Sequence, residues 1–189
     1  MKHLFQLLLL GLTMSSYAQV WSVELRPTLH IPTREVINQK LRIGNGLELT
    51  GVLSIGKHTD VYGGLIWNRF DTDEGFEESD IEFIQKGFLF GGMVSFSILE
   101  TQKNPFYVRA GLTLMTLDTE RTEGNFIIKT DPAIGTHLGL GMKIISLGNW
   151  HVLPEVRYGN SSHRYQEAGE YRHISFGNIS ITAALRRSF

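Results

Sequence analysis

The 189-residue chain contains no cysteine, which excludes a disulfide framework, thiolate metal sites and a cysteine nucleophile. Its stability must come from hydrogen bonding and packing. Proline is scarce, at five residues, and beyond the first twelve positions nothing approaches the roughly 18 consecutive apolar residues of a helical membrane span. An excess of basic charge is also missing, since 18 Lys and Arg stand against 19 Asp and Glu. Without a basic stripe, no nucleic-acid partner is expected.

The concentrated apolar run is Leu4 to Leu12, preceded by Lys2 and followed by Thr13, Met14, Ser15, Ser16, Tyr17 and Ala18. That is the layout of a secretory signal peptide, with cleavage before Gln19. The alternative is a retained anchor, but the run falls short of the roughly 20 residues a membrane helix needs. With no cysteine after it, a lipoprotein anchor is excluded. The expected division is a cleaved signal peptide over residues 1–18 and one β-barrel domain over residues 19–189. Removal of Lys2 leaves 17 basic against 19 acidic residues in the mature part.

From Gln19 onward apolar residues recur with period two, the signature of strands. Trp21, Val23, Leu25, Leu29 and Ile31 fall on one face, and Ser22, Glu24, Arg26, Thr28 and His30 on the other. The same alternation recurs over Leu47–Ile55, Phe88–Ile98, Phe106–Leu114, Ile134–Ile144, Val152–Tyr158 and Ile179–Arg186, and less regularly over Val61–Phe70. This predicts eight strands. Short connections near 56–60, 99–104 and 146–149 alternate with longer ones near 32–40, 71–82, 118–131 and 159–172. That rhythm belongs to an all-β, antiparallel up-and-down barrel with both termini on one side. A one-residue slip in the irregular third run would exchange the faces of Tyr62 and Trp67.

A soluble barrel alternates too, with its apolar face inward. Here the polar face is rich in Gly, Ser and Thr with scattered charges, unlike a solvated exterior. The apolar face is almost free of charge, and Trp21, Trp67, Phe70, Phe106, Trp150, Tyr158 and Phe189 fall toward strand ends, as interfacial girdles do. A transmembrane β-barrel is therefore expected. Pro154, inside a strand run, calls for a bulge or a locally unpaired position.

The stretches GLELTGVLSI, VYGGLIWNRF, EFIQKGFLFGGMVSF, PFYVRAGLTL, LPEVRYG and the terminal LRRSF resemble the porin-like outer-membrane β-barrel proteins of Bacteroidetes, similar in architecture to small OmpA- and OmpX-type barrels. The resemblance implies an outer-membrane location in a Gram-negative envelope, with membrane lipid and lipopolysaccharide as surroundings. Phe189, with Leu185 and Arg187 at alternate positions, resembles the carboxy-terminal signal read by the barrel-assembly machinery. Arg187 departs from the apolar pattern there, at a site near the interface that tolerates it.

Glu24, Arg26, Glu48, Arg109, Lys143, Glu155 and Arg157 share the inward register and are expected to form a polar network in the lumen. Eight strands leave an interior just wide enough for side chains, which favours a paired plug over a conducting path. His173 and Ser175 invite comparison with eight-stranded lipid A deacylases, whose His-x-Ser pair is completed by an acid. No acid follows His173, so the orienting acid could come only from elsewhere, such as Glu167 or Glu170. Residues 71–82 hold seven acids and no Lys or Arg, a loop suited either to solvent or to calcium bridging toward lipopolysaccharide. The reading is a non-catalytic envelope protein, without cofactor or metal, making surface contacts through its external loops; the alternatives are a small porin and a lipid A-modifying hydrolase.

Overall fold

A computed structural model describes residues 21–36, 41–72, 81–97, 105–121, 126–167 and 170–189. The expected signal peptide and residues 73–80 of the acidic loop lie outside the described residues. The strands are β1 (Trp21–Pro32), β2 (Gly44–Ser54), β3 (Thr59–Asp71), β4 (Ile81–Phe96), β5 (Phe106–Arg121), β6 (Phe126–Lys129), β7 (Ala133–Met142), β8 (Ile145–Leu147), β9 (Trp150–Glu167) and β10 (Glu170–Ser188). All pairings are antiparallel, and β10 pairs with both β9 and β1, which closes the ring. The segments β6, β7 and β8 form one interrupted stave: β6 and β7 pair in succession along β5, and β7 and β8 along β9. Eight staves result, closed into an up-and-down barrel.

Alternation sorts the faces as the pleat requires. Along β1 exposed and buried residues alternate from Trp21 to His30. The exposed set includes Leu25, Leu49, Leu65, Phe90, Leu112, Leu138, Val156 and Ile181, whereas Glu24, Arg26, Glu48, Arg109 and Glu155 are buried. Apolar outside and charged inside is the polarity of a barrel dissolved in hydrocarbon rather than water. In the third stave Tyr62 points inward and Trp67 outward.

The two prolines in strand interiors, Pro27 and Pro154, sit where the ladder is open. Pro154 keeps regular register with Ala183 on β10, but on its other side the β7 pairing ends at Glu155 and the β8 pairing begins at Val152. Pro27 pairs with Leu47 on β2 and has no partner on β10, between the Leu25–Leu185 and Thr28–Thr182 pairs. Lacking an N–H, proline is tolerated at such gaps. Gly148, at φ 60°, makes the tight turn between β8 and β9, a conformation that costs other L residues.

Strand reaches into three of the expected long loops. The β3–β4 pairing reaches Asp71–Glu82, β5 runs to Arg121, and β9 pairs with β10 out to Glu167–Glu170. The reason is a change of phase. Beyond Tyr158 the outward residues of β9 are the exposed Asn160, Ser162, Arg164 and Gln166, while its inward residues reach the buried Tyr165. Phe70, Phe83, Leu117, Tyr165, Ile174 and Phe176, with Val36 and Leu41, build an interior apolar cluster in these extensions. Polar outside and apolar inside is the arrangement of a water-exposed barrel, and the alternation reads as irregular when the opposite phase is assumed. Phe70, expected in a girdle, belongs to this cluster and is fully buried.

The outer face sets a first expectation. Leu138→Arg, in the middle of the apolar belt, should destabilise the folded protein in lipid bilayers by about 2–4 kcal/mol, and Ser162→Arg, above the belt, by about 0–1 kcal/mol. Urea titration of folding into vesicles measures both.

Candidate functional site: the interior charge network

Glu24 and Arg26 on β1, Glu48 on β2, Arg109 on β5 and Glu155 and Arg157 on β9 are brought together in the lumen. Cross-strand register makes this possible, because Arg26 lies opposite Glu48 and Glu24 opposite both Thr50 and Arg186. The Glu24 carboxylate accepts from Arg26 Nη1 at 2.9 Å, Arg109 Nη1 at 2.7 Å and Arg186 Nε at 2.7 Å, and also from the Thr50 hydroxyl at 3.1 Å. Arg157 donates to Glu48 through Nη1 at 2.5 Å and Nη2 at 3.2 Å, and through Nε to Glu155 at 2.8 Å. Arg26 Nη2 reaches Glu155 at 2.6 Å, and its Nε stands 3.4 Å from Glu48 without a hydrogen bond. Arg186 extends the chain of pairs to Asp60 at 3.1 Å. Four guanidiniums thus face four carboxylates.

Two members of this network, Arg186 and Asp60, are absent from the sequence-based set. The signal for Arg186 was present, since it alternates with Thr182 and Ala184 on the inward face of β10. Asp60 stands at the start of β3, where alternation carries little information. Lys143 is a correction. It makes no ion pair among the described residues, because it lies past the end of β7 in the break before β8, where its backbone N donates to Pro105 O at 3.0 Å.

Small residues opposite the network make room for it. A Cβ on Gly139 would sit 2.7 Å from Glu155 Oε1, and one on Gly91 would sit 2.5 Å from the Tyr62 hydroxyl. Arg109 stacks on the Tyr62 ring at 3.5 Å, a cation–π contact that uses the guanidinium face. The Tyr62 hydroxyl meets His137 Nε2 at 2.5 Å.

Above the network lies a cavity of about 30 Å³, lined in part by His30, Asn68, Gln85, Thr113 and His137. Gln85 Nε2, Thr113 Oγ1 and His137 Nδ1 are buried there without a protein partner, in a space fit for one or two waters. The apolar cluster around Phe70 and Phe176 closes the lumen farther up. Val52, Ile66, Leu89, Met93 and Met115 belong to an apolar cluster that fills the rest of the interior.

The other sequence candidates resolve as follows. His173 and Ser175 are both exposed on β10, with the buried Ile174 between them. The residue paired with His173 across the ladder is Arg164, and His173 hydrogen-bonds no carboxylate among the described residues. Of the acidic loop, Asp71 and Glu82 pair with Arg69. Among the described residues no group of three or more His, Asp or Glu could hold a metal ion. Phe189 is exposed, and its backbone N donates to Trp21 O at 2.8 Å. Arg187 lies 5.4 Å from the Trp150 ring and 5.1 Å from the Phe189 ring, so its charge is shielded by aromatic faces rather than presented bare.

No protein-family model and no curated protein matches the sequence. Among solved structures, Neisserial surface protein A aligns at 12% identity with a TM-score of 0.56, covering 90% of this chain and 97% of that one. The outer membrane protein AlkL in lipid bilayers aligns at 10% identity with a TM-score of 0.55, covering 90% of each chain. A major outer membrane protein from Thermus thermophilus aligns at 13% identity with a TM-score of 0.51, covering 92% of this chain and 100% of that one. The shared feature is the fold.

Two predictions test the interior. Glu24→Gln strands Arg26, Arg109 and Arg186 beside a neutral amide, and loss of one partner from a buried charge cluster costs about 3–5 kcal/mol; denaturant titration in micelles measures it. His163 lies inward on the part of β9 whose outer face is polar, fully buried, with Nε2 2.8 Å from the Ser161 hydroxyl. Burial lowers its pKa from 6.5 to about 4, against the opposing pull of Asp118. The unfolded segment therefore binds a proton that the folded one refuses as pH falls from 6.5 toward 4. Stability of the β9–β10 extension should be full above pH 6.5, decline across that interval and level off below it. Amide exchange in that hairpin reads the decline, and His163→Gln should abolish it.

Proposed function

We propose that this chain is an outer-membrane protein of the Gram-negative envelope whose barrel is a closed, non-catalytic scaffold for surface contact. The supporting observation is the filled lumen, in which four paired guanidiniums and four carboxylates lie beneath an apolar cluster. The apolar belt and the aromatic residues at its margins, Trp21, Trp67, Trp150 and Tyr158, suit lipid contact. The strand extensions beyond the belt supply rigid hairpins for recognition outside the cell, since loops on a fixed scaffold commonly carry function.

The same reading takes residues 1–18 as the cleaved export signal and Phe189 as the mark read by the barrel-assembly machinery. It places lipopolysaccharide against the extracellular part of the belt, with the acidic stretch 71–82 as a calcium-bridged contact. The porin-like Bacteroidetes grouping rests on sequence stretches such as GLELTGVLSI and PFYVRAGLTL.

Cell fractionation with gel migration of unheated and boiled samples tests the location: outer-membrane enrichment and heat-modifiable migration are expected. Planar-bilayer recording tests the closed lumen, with no stepwise conductance expected. Regular conductance steps would instead establish a small porin, and a soluble protein would overturn the membrane reading.

A further inference from the structure

Below the charge network the barrel opens, at the end that carries Trp21 and Ser188, into a cup of about 660 Å³. That volume is within the range of small-molecule sites. Its floor is made of Met93, Tyr107 and Leu153, and its wall carries Lys57, His58, Lys143 and His151 together with Asp60 and Arg186. Asp60 and Arg186 neutralise each other at 3.1 Å, and the remaining valence of Arg186 is used by Glu24. The carboxylate of the described lining is therefore already spent. Lys57, His58, Lys143 and His151 form no ion pair among the described residues, and His151 Nδ1 is buried without a partner. The hydroxyls of Ser22, Ser54, Ser95 and Ser188 add small donors around the same space.

We propose that this cup is a binding site for a small anion, with phosphate or carboxylate as the group held by Lys143 and His151. Charge balance supports it: the interior pairs cancel, and the two lysines left over stand with two histidines as hydrogen-bonding side chains on one concave surface with an apolar floor. Such a surface concentrates anions and excludes cations. Under the proposed function the cup faces the periplasm, so its occupant is a soluble periplasmic anion; the recognition chemistry itself does not depend on that orientation.

The test uses the full mature barrel in zwitterionic micelles, titrated calorimetrically at constant ionic strength with inorganic phosphate and, separately, with succinate. Saturable heat is expected within about 10 mM for at least one of them, a tenfold margin over millimolar affinity. Lys143→Gln and His151→Gln should each weaken it at least fivefold, while Arg164→Gln, at the opposite end, should leave it unchanged. Heat-modifiable migration of every variant verifies that it is folded. Absence of saturable heat with either anion, or equal binding by wild type and both cup variants, overturns the proposal. Because binding is read in micelles, either result leaves the membrane location to be judged by fractionation alone.

Discussion

Charges enclosed in an eight-stranded barrel have no water to retreat to, and the Glu24 carboxylate, shared among Arg26, Arg109 and Arg186, is where this chain meets that constraint. One carboxylate cannot offset three guanidiniums, so Glu48, Glu155 and Asp60 complete the balance through Arg26, Arg157 and Arg186. The pairs run between β1, β2, β3, β5, β9 and β10, so they tie together staves distant in sequence. A cluster of this kind contributes less to net stability than its distances suggest, because desolvation offsets much of the attraction. It does penalise a stave that slips in register, since a one-residue slip would carry Glu24 or Arg26 to the lipid face.

Along its axis the barrel changes solvent, and its side chains change phase accordingly. In the belt, Leu25, Leu65, Leu138 and Ile181 face outward around a charged interior. In the extensions, Arg164 and Ser162 face outward around Phe70, Phe83, Tyr165 and Phe176. The backbone ladder continues through the change, as the unbroken β9–β10 register shows. The polar outer surface and the apolar inner cluster therefore make the extensions a water-exposed continuation of a lipid-exposed barrel. This favours recognition by stiff hairpins rather than slack loops, and it closes the lumen from above.

The number of staves, their antiparallel order and the inward register of Glu24, Arg26, Glu48, Arg109, Glu155 and Arg157 were legible in the chain, because period-two alternation states which face each residue takes. The extent of β4, β5, β9 and β10 was not. Where the outer surroundings change from lipid to water, the apolar positions move to the other face, and a single-phase reading ends the strand there. Phe70 went astray for that reason, since an aromatic near a strand end fits either a girdle or an inner cluster until its face is known.

By itself the sequence determined that the chain alternates, that one face carries the charges and that the charges nearly balance, all of which follow from residue identity and parity. Which charges meet was decided only by the closed ring, which sets β1 between β2 and β10 and thereby puts Arg186 beside Glu24. The separation of Lys143 from that network, and its place on the wall of the cup, were likewise tertiary outcomes: the break between β7 and β8 takes it out of the strand register. Parity assigns a face, but only the curvature and stagger of the closed barrel assign the depth at which a side chain enters the lumen.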